Sequence, residues 1–197
     1  MNQEHYYDKK YTFTYPVFKW SGFWQFYTLP IKTIAGIYEK ETGEKPTSFF
    51  DCGCATGELL KQAEKMNMRV QGIDIQKYPS LFRKTHPNIE IVSILDYQKP
   101  ISYDIVFCNG TLTYLNESNI GQALEKFKSA KMVIAIHNTT EDDEKAGGPE
   151  YRNPSPDKPR LIKSQKWWVN RFQQAGFQAK YDPSTDCFIA QYKQREN

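Results

Sequence analysis

The amino-acid sequence predicts an α/β fold, a doubly wound and mostly parallel seven-stranded sheet with an antiparallel last strand. Strand patterns alternate with helical patterns along most of the chain, which is typical of parallel sheets covered by helices. The near-continuous apolar runs at 105–108 and 132–136 indicate strands that are buried on both faces. A short turn at 182–186 joins the last two strand patterns, which predicts an antiparallel hairpin at the end of the sheet.

The elements follow from hydrophobic periodicity and from the positions of glycine and proline. The predicted strands are 47–52, 69–75, 89–95, 103–109, 131–137, 178–182 and 186–193, and the predicted helices are 57–67, 78–85, 118–129 and 164–175. Another helix begins after Pro30 and ends at Gly43. Right-handed crossovers would bring the carboxyl ends of the strands to one edge, where ligands bind. The polar residues predicted at those ends are Asp51, Asp74, Asp96, Asn109 and His137.

The first strand runs into a glycine-rich turn, Asp51-Cys-Gly53-Cys-Ala55-Thr-Gly57, before a helix. Such a turn brings backbone N–H groups close to a ligand. The dinucleotide fingerprint Gly-x-Gly-x-x-Gly fails here, because Glu58 occupies its last position and Ala55 its second glycine position. The remaining pattern is an acidic residue, then Gly53, a small residue at 55 and Gly57 at alternate positions.

This pattern resembles motif I of the class I S-adenosylmethionine-dependent methyltransferases, with Ala55 where that family most often has glycine. The resemblance continues in order from about 47 to 192. It implies the Rossmann-like methyltransferase fold, with S-adenosyl-L-methionine as cofactor and S-adenosyl-L-homocysteine as product. The residues 53–57 would hold the amino-acid portion of the cofactor, Asp74 the ribose and Asp96 the adenine. The implied cofactor-binding residues are Asp51, Gly53, Cys54, Ala55, Gly57, Asp74, Ile75, Asp96, Tyr97 and Asn109.

The chemistry implied by the resemblance is displacement at the sulfonium methyl group, for which alignment and exclusion of water matter most. A base is needed only where the nucleophile keeps its proton. His137 and Tyr114 are the candidate catalytic residues, although a hydrogen-bonded structural histidine is the slightly favoured interpretation of His137, and Tyr114 is interpreted as either a pocket wall or a packing residue. Many family members carry Glu-His where this chain has Thr113-Tyr114.

Two segments lie outside the common core of the family. Residues 1–46 form an aromatic extension with one helix, and its first part is interpreted as a lid, an edge strand or core. Residues 47–197 form the S-adenosylmethionine-binding domain, and the whole chain is predicted to be a single structural domain. The loop 138–163 is either a substrate-specificity loop or a surface excursion. Basic residues in and after it could bind an anionic group or form a solvated face: Lys158, Arg160, Lys163, Lys166 and Arg171.

Composition indicates a soluble, cytoplasmic protein. The 197 residues are 39% hydrophobic and 25% charged, with a net charge of +3, and no apolar run is long enough to cross a membrane. Four cysteines are expected as free thiols, and Cys52 and Cys54 have no second pair at zinc spacing, so no metal site is predicted. The small charge makes nucleic acid a possible but not a favoured partner.

The acceptor is predicted to be a small molecule, such as a metabolite, a sugar or a natural-product-like compound, methylated on oxygen or nitrogen. Residues 109–112 read Asn-Gly-Thr-Leu, which lacks the Pro-Pro-Tyr of the usual adenine-type amino methyltransferases. The alternatives are a tRNA or protein methyltransferase, and a non-catalytic cofactor-binding module that regulates a partner. The sequence does not indicate the oligomeric state.

Overall fold

The computed structural model describes residues 29–75, 86–137, 139–145 and 161–192. The chain divides into two compact units, Met1–Tyr97 and Gln98–Asn197. The interpretation of residues 5–27 as a lid, the predicted helix 78–85 and residues 146–160 of the predicted specificity loop lie outside the described residues. The strands form a seven-stranded sheet with the spatial order 3-2-1-4-5-7-6 when they are numbered along the chain, so the predicted fold class is confirmed.

The first unit contributes two helices and three strands. They are α1 (Ile31–Thr42), β1 (Ser48–Cys52), α2 (Glu58–Glu64), β2 (Arg69–Asp74) and β3 (Ile89–Ile91). All five residues of β1 are buried, as the apolar strand pattern predicts. β1 is parallel to β2, with Cys52 opposite Ile73, and β2 is parallel to β3, with Asp74 opposite Ile91. The carboxyl ends of these strands therefore lie at one edge of the sheet.

The third strand is shorter than the predicted 89–95, because a turn begins at Ser93. The Ser93 hydroxyl accepts a hydrogen bond from Leu95 N–H, and its carbonyl accepts from the N–H groups of Asp96 and Tyr97. A serine that bonds its own following backbone competes with the strand ladder. The expectation that Asp96 ends this strand is therefore wrong: Asp96 lies in a turn beyond the last strand residue, Ile91.

The second unit contains the remaining elements. They are β4 (Ile105–Asn109), a 3₁₀ helix (Thr111–Tyr114), α3 (Glu117–Lys126), a 3₁₀ turn (Phe127–Ser129), β5 (Met132–Ile136), α4 (Thr140–Lys145), α5 (Gln165–Gln174), β6 (Phe177–Asp182) and β7 (Cys187–Tyr192). β4 and β5 are parallel, and β7 is antiparallel to both β5 and β6, which confirms the predicted hairpin.

Side-chain caps start two helices of the second unit. The Asn116 side chain accepts a hydrogen bond from Asn119 N–H at 2.9 Å, and Ser164 Oγ accepts from Trp167 N–H at 3.1 Å. Both residue types are favoured at this position because they satisfy an N–H that has no partner within the helix. In the described part of the chain, no helix has the length and hydropathy needed to cross a membrane.

Candidate cofactor site

Two acidic residues lie at the carboxyl ends of β1 and β2. Asp51, the fourth residue of β1, is 4% exposed, and Asp74, the last residue of β2, is 8% exposed. The N–H groups of Gly53 and Cys54 both donate to the carbonyl of Ile73, at 2.8 and 3.0 Å. These bonds hold the start of the 53–57 loop, the glycine-rich turn after β1, against the end of β2.

The Asp74 carboxylate also holds the middle of the 53–57 loop. Its Oδ2 accepts a hydrogen bond from Ala55 N–H at 2.8 Å. Ala55 has φ +50, in the left-handed region that a side chain disfavours, so the loop holds a non-glycine residue in a strained backbone conformation. The loop closes with a hydrogen bond from Gly57 N–H to Cys54 O at 2.8 Å.

Two glycines permit the close packing of this loop. A Cβ on Gly57 would lie 2.6 Å from the Cβ of His86, and φ at Gly57 is +76. A Cβ on Gly72 in β2 would lie 2.6 Å from Cys54 Sγ and 2.7 Å from Leu60 Cδ1. Real Cβ atoms do not approach so closely, so both positions require glycine for the observed geometry.

Burial makes this end of the sheet electrostatically unusual. Loss of solvation, followed by the neighbouring charge of Asp74, raises the pKa of Asp51 to about 8. Burial, followed by the charges of Asp51 and Asp74, also raises the pKa of the Cys54 thiol. A thiol with a raised pKa is a poor nucleophile at neutral pH, which argues against cysteine chemistry here.

The structure adds His86, which the sequence pattern did not indicate. The backbone N–H of His86 donates to Thr56 O at 3.4 Å, and the His86 Cβ packs against Gly57. Residue 86 lies 29 positions beyond Gly57 in the sequence, and no local periodicity or spacing links them. Only the three-dimensional packing of the first unit reveals this neighbour of the loop.

The other predicted cofactor residues of the first unit differ in their surroundings. Ile75 follows Asp74 and is exposed. Asp96 is exposed in the turn after β3. Tyr97 is buried, and its ring lies 5.5 Å from that of Phe50, so its aromatic face belongs to the core of this unit.

In the second unit, Asn109 is the half-buried last residue of β4. Gly110 N–H donates to Ile136 O at 2.8 Å, which joins the ends of β4 and β5. The 3₁₀ helix that follows places Tyr114 at its last position, half-buried, and Thr113 Oγ1 bonds to Gly110 O at 2.5 Å. The roles predicted for Asn109 and Tyr114 stay predictions.

His137 follows β5 directly and is only 4% exposed. Its ring lies 4.2 Å from the Trp168 ring and 5.5 Å from the Phe188 ring, between centroids. Among the described residues, neither ring nitrogen has a hydrogen-bond partner of standard geometry. Burial lowers the pKa of His137 to about 3, against a smaller opposing effect of the Ile136 backbone. The aromatic surroundings favour a neutral packing residue over the predicted base, whose role stays a prediction.

Two basic residues that could have bound an anionic group pair with an acidic residue of their own unit. Lys163 Nζ lies 2.6 Å from Glu117 Oε1, and Arg171 lies 3.7 Å from the other carboxylate oxygen. Both cations also lie over the Trp167 ring, at 5.4 and 5.2 Å from its centroid. This arrangement favours a structural role for Lys163 and Arg171.

The ends of the predicted specificity loop are joined by backbone contacts. Thr139 and Lys163 form a parallel bridge, and Thr140 N–H donates to Lys163 O at 3.3 Å. The Asp142 carboxylate accepts from the N–H and hydroxyl of Thr139, at 2.9 and 2.8 Å. The two described ends of the segment 138–163 are therefore joined to each other, and the prediction of a loop is wrong at 140–145, which form α4.

Neither a metal cluster nor a disulfide is present in the described ranges. No group of three or more His, Cys, Asp or Glu residues there is placed to hold a metal ion. All four cysteines are buried free thiols: Cys52, Cys54, Cys108 and Cys187.

Comparison with known proteins shows the fold. No protein-family model and no curated protein matches the sequence. The plantazolicin methyltransferase BpumL, solved with a monoazolic desmethylPZN analog and SAH, has a TM-score of 0.69 and 12% identity, covering 96% of this chain and 94% of its own. The 1,6-didemethyltoxoflavin-N1-methyltransferase of Burkholderia thailandensis, solved with 1,6-didemethyltoxoflavin and S-adenosylhomocysteine, has a TM-score of 0.62 and 11% identity over 98% and 92%.

A third similar structure is the sugar N-methyltransferase KedS8 from Streptoalloteichus sp. ATCC 53650, with a TM-score of 0.63 and 9% identity, covering 85% of this chain and 88% of its own. At these identities the likeness shows the fold alone. That fold is the Rossmann-like fold of the class I S-adenosylmethionine-dependent methyltransferases, as the sequence predicts.

Proposed function

We propose that this chain is an S-adenosylmethionine-dependent methyltransferase that acts on an oxygen or nitrogen nucleophile of a small molecule. The observation that carries the proposal is the contact of the Asp74 carboxylate with the Ala55 amide at 2.8 Å. It places an acidic residue from the end of β2 directly beside the glycine-rich turn after β1. In a fold with this strand order, that is the expected position of a bound nucleoside.

The residues of the first unit fit S-adenosylmethionine. The 53–57 loop is held to β2 by the hydrogen bonds to Ile73 O, and the position of Gly57 leaves no room for a side chain. An ionised carboxylate has about four acceptor positions. The bond from Ala55 to Asp74 is therefore compatible with further donors from a ribose diol. In the proposal, Asp74 holds the ribose, Ile75 lies beside the nucleoside, and the loop holds the amino-acid portion.

When bound, S-adenosylmethionine supplies an activated methyl group, which a nucleophilic oxygen or nitrogen takes by direct displacement while S-adenosylhomocysteine leaves. The residues of this chain then need only bind, orient and exclude water. Because the pKa of the buried Asp51 is about 8, this side chain is mostly protonated at neutral pH and adds little negative charge beside the loop. A dedicated base is required only for an acceptor that is protonated at the working pH.

A small-molecule acceptor is supported by the solved structures with the same fold. One of these proteins is bound to 1,6-didemethyltoxoflavin, one to a monoazolic desmethylPZN analog, and one is a sugar N-methyltransferase. The net charge of +3 is also small for a protein that binds nucleic acid.

Calorimetric titration of the purified protein with S-adenosylmethionine, S-adenosylhomocysteine and NAD tests the proposal. We expect dissociation constants of about micromolar for the first two compounds and no heat with NAD, since the dinucleotide fingerprint fails at Glu58. Transfer of labelled methyl groups is then measured with phenols, amino sugars, azole heterocycles and bulk tRNA. Absence of binding by either adenosyl compound contradicts the proposal, and methylation of tRNA alone contradicts the small-molecule acceptor.

A further inference from the structure

We infer that His86 is a positioning residue for the 53–57 loop, an inference that rests on the proposed function because this loop is the part proposed to hold the amino-acid portion of S-adenosylmethionine. His86 touches the loop in two ways. Its backbone N–H donates to Thr56 O at 3.4 Å. Its Cβ lies only 2.6 Å from the position that a Cβ on Gly57 would occupy. Both contacts use the backbone N–H and the Cβ of residue 86, so the inferred role of the His86 ring is to hold these atoms in place against the last two residues of the loop.

Both nitrogens of the His86 ring are engaged, which fixes the ring. Nδ1 accepts from Asn88 N–H at 3.2 Å. Because the Asn88 amide can only donate, Nδ1 carries no proton, and Nε2 carries the single proton of a neutral imidazole. Nε2 then donates to Glu64 Oε2 at 3.2 Å. The ring has one donor and one acceptor, and each is matched.

The position of Glu64 explains why a fixed ring matters to the loop. Glu64 is the last residue of α2, whereas Thr56 and Gly57 directly precede its first residue. His86 thus contacts both ends of this short helix, with its backbone at the start and its ring at the end. The His86 side chain is 2% exposed and that of Glu64 is 57% exposed, so the contact runs from the interior to the surface.

If His86 were merely structural, its replacement would lower the stability of the protein but would leave the affinity of the folded protein for S-adenosylhomocysteine unchanged. A positioning histidine changes affinity as well. We expect His86→Ala to weaken binding of S-adenosylhomocysteine by about ten-fold or more. His86→Asn keeps an acceptor near the position of Nδ1 and is expected to recover part of this loss. Glu64→Gln keeps an acceptor oxygen for Nε2–H and is expected to bind like the parent.

Ile34→Ala is the matched control for lost stability. Ile34 is fully buried in α1, and its truncation creates a cavity in the same unit. This variant should melt at a lower temperature and bind S-adenosylhomocysteine with parent affinity. If His86→Ala binds like the parent, or if Ile34→Ala weakens binding as much as His86→Ala does, the inference is overturned.

Hydrogen exchange of the ligand-free protein separates this inference from the proposed function. The Gly57 amide, bonded to Cys54 O at 2.8 Å, reports on closure of the loop. In His86→Ala it should exchange about ten-fold faster or more, while the amides of β5 keep their parent rates. Should His86→Ala not fold, Glu64→Ala takes its place, because its side chain is largely outside the core. Unchanged exchange overturns the inference, whereas changed exchange with no cofactor binding by the parent supports it and contradicts the proposed function.

Discussion

The Oδ2 atom of Asp74 accepts a hydrogen bond from the backbone N–H of Ala55 at 2.8 Å, across 19 residues of sequence. The contact joins the end of β2 to the turn that follows β1. It also stabilises a loop in which Ala55 has a positive φ, because a charge-assisted bond of this kind is roughly twice as strong as a neutral one. The acidic residue and the small residue at 55 therefore act together in shaping the proposed cofactor site.

The strain at Ala55 predicts the effect of two substitutions there. The left-handed conformation costs a residue with a Cβ about 1–2 kcal/mol, and glycine loses about 0.5–1 kcal/mol more than alanine on folding through its flexibility. Ala55→Gly should therefore raise the free energy of unfolding by about 0.5 kcal/mol, and Ala55→Val should lower it by more than about 1 kcal/mol. Urea denaturation measures both. A variant with glycine that is clearly less stable than the parent would show that Ala55 is not strained.

Gly57→Ala should destabilise the protein by about 1–3 kcal/mol and weaken cofactor binding. The added methyl would lie 2.6 Å from His86 Cβ and 2.9 Å from Ile89 Cδ1, and φ is +76. Gly36→Ala is the matched control. Gly36 lies within α1 with nothing within 4 Å of its Cβ position, so alanine should stabilise this helix by about 0.5–1 kcal/mol. Thermal unfolding of the pair checks the prediction, which fails if both variants change stability in the same direction.

The sequence predicted β1, β2, β4 and β5 to within two residues, because their apolar runs leave few alternatives for a strand buried on both faces. It predicted β3 poorly. The run at 89–95 is mostly apolar, but the hydroxyl of Ser93 forms a local turn that no hydrophobic pattern reveals. Asp96 was misplaced for the same reason.

In the candidate site, the sequence indicated the residues that are recognisable from their local pattern and missed the neighbours that only folding brings together. The acidic residue and glycines of the turn after β1 are recognisable from spacing, and Asp74 from its place after an apolar strand. His86 was not recognisable, because its partners are Gly57 and Glu64 in a different segment. The surroundings of His137 depend on Trp168 and Phe188, which follow it by more than 30 residues, so its packing could not be read from β5.

Asp51 should make stability fall as the pH rises. Its pKa is raised from 3.8 to about 8 in the folded protein. Between these values the folded state keeps a proton that the unfolded state has released, so the free energy of unfolding decreases with pH, by at most about 1.4 kcal/mol per pH unit. Asp51→Asn cannot ionise and should show a smaller decrease between about pH 5 and about pH 7. Urea denaturation at several pH values measures this decrease. If the free energy of unfolding falls equally with pH in the parent and in Asp51→Asn, the result would contradict the burial of an acid at this position.

His137 should make the stability of the protein depend on pH in the opposite direction. Its pKa is lowered from 6.5 to about 3, so between these values the unfolded state binds a proton that the folded state does not, and stability falls as the pH falls. His137→Phe keeps an aromatic ring against Trp168 and removes two buried nitrogens. It should fold, and it should lose less stability than the parent between about pH 6.5 and about pH 4. Retained methyl transfer by this variant would exclude His137 as the base, and loss of transfer with intact cofactor binding would support that role.

The most direct test of the account is the affinity of Asp74→Asn for S-adenosylhomocysteine, measured by calorimetry beside Asp96→Asn. Asparagine keeps an oxygen that can accept from Ala55 N–H, so the loop should persist while the charged acceptor is lost. Hydrogen bonds to a charged group contribute about 1.5–3 kcal/mol each, so we expect Asp74→Asn to bind about 10–100-fold more weakly than the parent. Asp96, exposed in a turn, should matter less. Parent-like affinity in a folded Asp74→Asn protein would contradict the assignment of the site.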